Sequence, residues 1–362
     1  MSSLQSIEVP VNIPGVSCRV LVGRGLLAQA GKLCTAAGLR GKCALISDDN
    51  VAKLHSAPVL ESLRAAGFDP VLLTVPAGEK SKSLNMAGNL LERMAEAGLD
   101  RGSFAVALGG GVVGDLAGFV AAVYQRGISF VQVPTTIVAQ VDSSVGGKTG
   151  VNLRAGKNLV GSFHQPCLVL ADIDTLATLP DREYREGFAE VIKHSAIRDA
   201  KMLAELDPAT PRDSLAPLIA RNIAIKAAIV AEDEKERSDK RALLNFGHTV
   251  GHAIENVAGY GELLHGEAIS IGLAAALAIS KNKYSLSAEE ADRVRTKLAD
   301  FGLPLTLPPH LGTDDLLAAA AKDKKFTGGK IRFVVVPRLG EAKVADDISE
   351  QDLREAIEAI RA

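Results

Sequence analysis

The first half of the chain alternates short apolar runs with segments of helical periodicity, and this rhythm constrains the fold more than any other feature. Segments near residues 51–67, 83–97 and 113–124 have helical patterns. Strands separated by helices at this spacing form a parallel sheet covered by helices, because a parallel neighbour needs a crossover connection. The strands predicted for that sheet are residues 43–47, 71–75, 104–108 and 130–133.

The pattern becomes mostly helical from Asp181 onward, where residues 331–336 are the one convincing strand. A chain of 362 residues is long enough for two hydrophobic cores. We therefore expect an α/β N-terminal domain over residues 1–176 with an atypical, Rossmann-like parallel sheet. A mostly α-helical C-terminal domain is expected over residues 177–362.

The composition is that of a globular protein, with 47% apolar and 23% charged residues. A net charge of -2 gives no reason to expect a nucleic acid or an anionic membrane as partner. The four cysteines show no C-x-x-C spacing, which is typical of reduced thiols in a cytosolic protein. No signal peptide is visible, and the longest apolar stretch, residues 268–280, is too short to span a bilayer. We expect a cytoplasmic protein.

Three of the seven histidines fall within eighteen residues, at His248, His252 and His265. The first two lie in a helical pattern, so a spacing of four places both imidazoles on one helix face. Core or capping histidines would explain the pair alone, but a third histidine and the upstream Glu190 favour a metal site. Two histidines and a carboxylate suit zinc and leave one coordination position open, as a catalytic site requires.

A glycine-rich turn follows the predicted strand 104–108 and opens a helical pattern. Its sequence, GGGVVGD at residues 109–115, fits G-x-G-x-x-G in the context of a nucleotide site. The next strand ends in VPTT without the acidic residue that binds ribose in the standard fold, so Asp48 and Asn50 are the ribose candidates. A second motif, GGKT at residues 146–149, fails as a P-loop because Asp142 stands where the first glycine belongs. The glycine-framed Lys148 and Lys157 are predicted to bind anions.

The chain resembles the 3-dehydroquinate synthase family of the sugar-phosphate cyclase superfamily. The matching blocks run in order from about residue 44 to 336, most of the chain, and include the segment around Glu190. The blocks that carry it are GGGVVGD (109–115), YQRG (124–127), VPTT (133–136), VDSSVGGKT (141–149), KNLVG (157–161), RALLNFGH (241–248) and LHGE (264–267). It implies an NAD- and zinc-dependent lyase of the shikimate pathway. This lyase converts 3-deoxy-D-arabino-heptulosonate 7-phosphate into 3-dehydroquinate and phosphate. The implied steps are transient oxidation, phosphate elimination, reduction and an intramolecular aldol cyclisation.

The resemblance also implies roles for individual residues. Glu190, His248 and His265 match zinc ligands, with cobalt as an alternative metal, whereas His252 matches a substrate contact. The implied NAD contacts are Asp48, Asn50, Glu79, Lys82, Gly110, Gly111, Asp115, Thr135, Thr136, Lys148, Lys157 and Thr178. The implied substrate shell is Asp142, Lys148, Asn158, Lys193, Lys226, Arg241, Asn245, His252 and Lys324, with Lys325 as an alternative to Lys324. Arg126 matches a phosphate contact from a neighbouring subunit, which implies a homodimer, and Glu236 is a candidate partner of the metal ligands.

Three other functions compete with this interpretation. Related cyclases make 2-deoxy-scyllo-inosose or valiolone-type rings from substrates without a carboxylate, and the set Arg241, Asn245, His252 and Lys324 favours a carboxylated substrate instead. A metal-dependent polyol dehydrogenase would need fewer cationic groups and would release reduced cofactor. A non-catalytic relative that binds nucleotide or metal is disfavoured by the intact ligand set and polar shell.

Overall fold

The structure, a computed structural model, describes residues 6–259, 261–322, 326–327 and 330–361. The chain forms two compact units. The first contains the chain up to Pro180 together with Pro211–Lys235, and the second contains Asp181–Thr210 and the chain from Glu236 onward. This interleaving differs from a single division at residue 176, because a helix at residues 216–232 packs on the first unit.

A seven-stranded sheet forms the centre of the first unit, in the order β1-β2-β9-β6-β5-β3-β4. Strand β1 is antiparallel to β2, and every other neighbouring pair in this sheet is parallel. Two further strands, β7 and β8, form an antiparallel hairpin. The strands of the first unit are β1 Ile7–Val9, β2 Arg19–Gly23, β3 Lys42–Asp48, β4 Asp69–Val75, β5 Phe104–Gly109, β6 Ser129–Pro134, β7 Lys148–Leu153, β8 Gly156–Phe163 and β9 Leu168–Asp172.

The four strands predicted from the sequence correspond to β3, β4, β5 and β6, and the expected α/β class is confirmed. Strands β1, β2 and β9 were not predicted. Lys148 and Lys157 lie on the two strands of the β7–β8 hairpin, and Gly146 and Gly147, with φ 99° and 66°, form a turn immediately before β7.

The central strands are apolar on both sides because helices cover both faces of the sheet. In β3, Ala44 and Ile46 join one core cluster, whereas Cys43 and Leu45 join the cluster on the opposite face. All residues of β5 are buried. A strand buried on both faces is a continuous apolar run with no alternation, which is why β3 and β5 are recognisable from the sequence.

The helices among the described residues follow in chain order. Helices α1–α4 and α8 belong to the first unit, and the others belong to the second. Their bounds are α1 Ala30–Ala36, α2 Asp49–Ala65, α3 Leu84–Glu96, α4 Gly111–Val123, α5 Asp181–Glu186, α6 Phe188–Arg198, α7 Ala200–Glu205, α8 Ala216–Glu232, α9 His248–Ala258, α10 His265–Lys283, α11 Ala288–Asp300, α12 Thr313–Lys322 and α13 Glu350–Glu358.

The second unit is mainly helical, as predicted, and is built around the Ala-rich helix α10. Residues on all sides of α10 are buried, from Ala268 to Leu277. The unit also contains an antiparallel sheet of β10 Phe326–Thr327, β11 Lys330–Arg338 and β12 Glu341–Ile348. The sequence predicted β11 alone, because the burial of β12 is irregular and its composition is charged. None of the helices in the described ranges has the length and apolarity needed to cross a membrane.

Candidate functional site

The carboxyl ends of β3, β5 and β6 form the candidate nucleotide site of the first unit. Strand β3 lies between β4 and β5 in the sheet. The chain runs from β3 outward to β4 and then returns to β5 on the other side of β3, so the strand order reverses between β3 and β5. Ligands of open α/β sheets bind outside the carboxyl ends of the strands at such a reversal. Asp48 ends β3, the glycine turn follows β5, and Thr135 and Thr136 follow β6.

The glycines of the turn allow the chain to pass close to its neighbours. A Cβ on Gly110 would lie 3.1 Å from Thr136 Cγ2, and one on Gly111 would lie 3.2 Å from Ser143 Oγ. Gly110 is the N-cap of α4 and has no side chain to cap the first amides of that helix. These amides therefore present hydrogen-bond donors and the positive end of the helix dipole, which suits a pyrophosphate.

An ion pair of Lys82 and Asp115 lies beside this turn. Lys82 Nζ is 2.5 Å from Asp115 Oδ2, and the side chains are 7% and 20% exposed. Burial raises the pKa of Asp115, and the charge and hydrogen bond of Lys82 oppose that shift. Glu79 accepts a hydrogen bond of 2.7 Å from Asn152 Nδ2, which connects the segment before α3 to strand β7.

The remaining predicted nucleotide contacts have local partners. The Asp48 carboxylate caps α2 by accepting from the amides of Asn50 at 2.9 Å and Val51 at 3.0 Å. The Thr178 hydroxyl is 2.8 Å from His55 Nε2, an interaction that no sequence motif suggested. Lys157 is half-buried on β8.

Two predicted substrate residues of the first unit form an ion pair. Lys226, on α8, donates to the backbone oxygen of Asp142 at 2.7 Å, and its Nζ is 2.9 Å from Asp142 Oδ1. Asp142 lies in a π-helical turn, Ala139–Ser143, and such turns occur frequently at functional sites. The Lys226 side chain, which is 8% exposed, thus reaches a carboxylate rather than solvent.

Three further predicted residues of the first unit are exposed. Lys148 begins β7, and Asn158, in β8, has φ 55° and donates its amide to Asn152 Oδ1 at 2.9 Å. Arg126 follows Gln125 in a turn where the two have φ 70° and 51°. Consecutive non-glycine residues with positive φ are costly and are typical of sites where function requires the conformation.

The second unit brings Glu190, His248 and His265 together. Glu190, on α6, is completely buried, while His248 and His265 are the first residues of α9 and α10. Glu190 Oε1 lies 3.6 Å from His248 Nε2 and 3.5 Å from His265 Nε2, and one ligand atom from each residue lies within 4.8 Å of the others. A carboxylate and two imidazoles at this spacing fit Zn²⁺ or Co²⁺.

Both imidazoles are oriented by contacts of the other ring nitrogen. His248 Nδ1 is 3.2 Å from the Phe246 backbone oxygen, and His265 Nδ1 is 3.3 Å from Glu255 Oε2. Metal-binding histidines usually donate this second N–H to a carbonyl or carboxylate, which leaves Nε2 for the metal. Sequence reasoning missed Glu255, although it lies three residues after His252 on the same helix.

The charges around the cluster also suit a cation. Burial and the Lys193 ammonium hold the pKa of His248 well below its usual value, so its imidazole is neutral, as a metal ligand must be. Burial lowers the pKa of His265, but hydrogen bonds to Glu190 and Glu255 outweigh burial and raise it to about 10. The carboxylates therefore favour a positive charge at this position, and Lys193 forms a buried ion pair with Glu190.

His252 lies one turn after His248 on α9, as the spacing predicted, and the two ring centroids are 5.1 Å apart. It is exposed, unlike His248, and its ring centroid is 6.2 Å from that of His265.

Arg241 is 2% exposed and begins the 3₁₀ turn Arg241–Asn245. Glu236 is exposed with φ 55°. Lys324 and its alternative, Lys325, lie outside the described residues.

Comparison with known families identifies both halves of the chain. Residues 72–186 match the model described as 3-dehydroquinate synthase N-terminal, and residues 187–326 match the C-terminal model of the same family. The 3-dehydroquinate synthase of Caulobacter vibrioides is 46% identical over 358 residues, which cover 96% of each chain.

Solved structures of related cyclases have the same fold. The 2-epi-5-epi-valiolone synthase from Streptomyces hygroscopicus subsp. jinggangensis, with NAD⁺ and Zn²⁺ bound, is 28% identical with a TM-score of 0.86, covering 96% of this chain and 98% of that one. A 2-deoxy-scyllo-inosose synthase complexed with carbaglucose-6-phosphate, NAD⁺ and Co²⁺ is 25% identical with a TM-score of 0.88, covering 98% and 99%. Since curated relatives match it over nearly their whole length at this identity, the chain belongs to the 3-dehydroquinate synthase family.

Proposed function

We propose that this chain is a 3-dehydroquinate synthase. The enzyme converts 3-deoxy-D-arabino-heptulosonate 7-phosphate into 3-dehydroquinate and phosphate, and so is a phosphorus–oxygen lyase of the shikimate pathway and of aromatic amino-acid biosynthesis. The observation that carries the proposal is the cluster of the buried Glu190 and His248 with the half-buried His265, whose ligand atoms lie within 4.8 Å of one another in a chain of this family.

Bound NAD⁺ and a bound metal would supply chemistry that the side chains lack, namely the uptake and return of a hydride and the polarisation of substrate oxygens. Glu190, His248 and His265 would hold the metal, with Glu255 fixing the ring of His265. The uncapped amides of α4 would bind the dinucleotide phosphates.

The predicted substrate shell is rich in cations, as a substrate with a carboxylate and a phosphate requires. Arg241, which is 2% exposed, would bind the carboxylate through its planar guanidinium, with Asn245 and His252 as further contacts. Lys226 is held beside Asp142 and would keep a fixed positive charge next to the reacting groups. Lys148, Asn158 and Lys193 would complete the polar shell.

The test supplies the heptulosonate phosphate with zinc and a catalytic amount of NAD⁺, and follows phosphate and 3-dehydroquinate together. Equal amounts of both products without accumulation of NADH are expected, because the cofactor is regenerated in each turnover. Sustained NADH release would instead indicate a polyol dehydrogenase. Turnover only of sugar phosphates without a carboxylate would indicate one of the sister cyclases, which the set of Arg241, Asn245 and His252 disfavours.

We also propose that the enzyme works as a homodimer in which Arg126 contacts the phosphate bound to the neighbouring subunit. Arg126 is exposed on a turn with positive φ angles, a costly conformation. Exposed apolar side chains occur in the same unit, at Val123, Leu159 and Phe163, which are 43%, 55% and 43% exposed. A neighbouring subunit that covers this surface would remove these side chains from water.

Subunit mixing tests this role of Arg126. Arg126→Ala and His248→Ala should each be inactive alone. A hybrid dimer would contain one site with an intact His248 and an intact Arg126, so random exchange should restore about a quarter of the wild-type activity. Hybrid dimers that form but remain inactive would contradict a contribution from the neighbouring subunit, as would full activity of Arg126→Ala alone.

A cytoplasmic location is proposed on the chemistry of the cysteines. All four are free thiols, and Cys34 and Cys43 are buried in the core of the first unit. Free thiols in this number fit a reducing compartment. Fractionation of the native cells should find the enzyme with soluble cytoplasmic markers.

A further inference from the structure

The first turn of α10, which begins with the candidate ligand His265, lies directly against helix α5. Glu186 Oε2 accepts a hydrogen bond of 2.6 Å from the Gly266 amide. A Cβ on Gly266 would lie 1.9 Å from the backbone oxygen of Glu186, so only glycine permits this approach. The residue after His265 is therefore held by the backbone and a side chain of α5.

A second contact joins the same two helices. Glu267 Oε2 accepts a hydrogen bond of 2.8 Å from the amide of Leu264, the N-cap residue, and so stabilises the N-terminus of α10. The same carboxylate accepts from Arg182, on α5, through Nε and Nη2, each at 2.7 Å. Arg182 Nη2 also donates to the backbone oxygen of Glu262 at 3.1 Å. A guanidinium that binds one carboxylate twice has a defined orientation, so this contact fixes direction as well as distance.

We propose that Arg182 is a positioning residue for the metal centre, acting through Glu267 on the first turn of α10. This proposal rests on the metal site of the proposed function. Arg182 contacts the Glu267 carboxylate and the Glu262 backbone oxygen, and through these two contacts it holds the chain on both sides of His265. Metal coordination tolerates displacements of only about 0.2 Å, so the orientation of this turn decides whether His265 Nε2 points at Glu190.

The solvent exposure of Arg182 distinguishes a positioning role from a role in the stability of the fold. The Arg182 side chain is 54% exposed, and the Glu267 side chain is 14% exposed. Exposed ion pairs contribute little to global stability. Loss of Arg182 should therefore lower metal affinity far more than it lowers the free energy of unfolding. A residue that only stabilised the fold would affect the two quantities together.

The experiment compares the wild type with Arg182→Ala, Arg182→Lys and the control Arg354→Ala. Arg354, on α13 in the same unit, forms an ion pair through a single contact of 2.8 Å with the exposed Asp314, far from the start of α10 in sequence. Zn²⁺ affinity is measured by competition with a chelating dye, Co²⁺ coordination by visible absorption, and the stability of the metal-free proteins by urea unfolding. None of these readouts depends on turnover.

Arg182→Ala should bind Zn²⁺ about 10- to 100-fold more weakly and should shift the Co²⁺ absorption, as found when other outer contacts of metal ligands are removed. Arg182→Lys should recover part of the affinity, since lysine keeps the charge but not the two-point geometry. Arg354→Ala should match the wild type. Wild-type Zn²⁺ affinity and Co²⁺ spectrum in Arg182→Ala would overturn the proposal, as would a wild type that binds neither metal. A wild type that binds metal but makes no 3-dehydroquinate would overturn the proposed function alone.

Discussion

The crossing of α9 and α10 is set by glycines, and Gly272→Ala tests whether that crossing builds the metal centre. A Cβ at Gly272 would lie 2.1 Å from the Gly247 backbone oxygen and 2.7 Å from the Gly251 amide nitrogen. Ordinary contact begins near 3.4 Å, so the two helices would have to separate by about 1.3 Å at this point. The obstructing atoms are backbone atoms, which cannot move aside as a flexible side chain can.

The magnitude follows from two opposing terms. Alanine is favoured over glycine inside a helix by about 0.5–1 kcal/mol. Overpacking typically costs about 1–3 kcal/mol, and the rigid contacts here place the cost at the upper end of that range. Gly272→Ala should therefore be destabilising by roughly 2–2.5 kcal/mol net. Because Gly247 directly precedes His248, the same shift should displace His248 Nε2 by more than metal coordination tolerates.

Gly88→Ala provides the matched control. Gly88 also lies inside a helix, α3, and a Cβ there would meet nothing within 4 Å. The control should be more stable than the wild type by about 0.5–1 kcal/mol, with unchanged Zn²⁺ affinity. Urea unfolding of the metal-free proteins and zinc competition titrations measure both quantities. If Gly272→Ala is as stable as Gly88→Ala and binds zinc as tightly, the reasoning is refuted.

Three further predictions concern the two candidate sites. His248→Ala should abolish zinc binding and turnover while leaving NAD⁺ affinity largely intact, and tight zinc retention in that variant would contradict its role as a ligand. Arg241→Ala should weaken substrate binding by about 2–5 kcal/mol, measured as a rise in KM, and an unchanged KM would mean that Arg241 does not hold the carboxylate. Because burial raises the pKa of Asp115, its contribution to stability is present at low pH and is lost as the pH rises through the folded-state pKa. Lys82→Met removes the charge that opposes this pKa shift. The free energy of unfolding of the variant should therefore fall more steeply with rising pH than that of the wild type. An equal slope would exclude a coupling between Lys82 and Asp115.

Predicting the fold from the sequence succeeded where burial leaves a simple pattern. Strand β5 is buried along its whole length and lies between β3 and β6, so it is a continuous apolar run. Strand β9 is equally buried and its sequence, LVLAD, is also an apolar run, but the sequence analysis did not identify it as a strand. In the β7–β8 hairpin, Gly150 and Gly161 pair across the strands, and a Cβ on Gly161 would lie 2.3 Å from the Thr149 oxygen. Glycine there permits close pairing of strands, although in a sequence it usually indicates a turn.

In the candidate site, too, features that depend on local spacing were predictable, whereas contacts between residues of different helices were not. The spacing of His248 and His252 correctly predicted two rings on one helix face, because the pitch of a helix is local information. The contacts of Glu186 and Glu255 with the start of α10 were not predictable, since they depend on how α5 and α9 pack against that helix.

The sequence by itself determined the alternation of strands and helices, the glycine turn after β5 and the family, because each depends on residue type and on short spacings. Only the tertiary structure decided that Glu190 Oε1 lies 3.5–3.6 Å from the Nε2 atoms of both histidines, that Lys226 pairs with Asp142, and that residues 211–235 belong to the first unit. The physical reason is that these relations join residues far apart in the chain. They are set by the close packing of whole helices, which no local pattern of residues encodes.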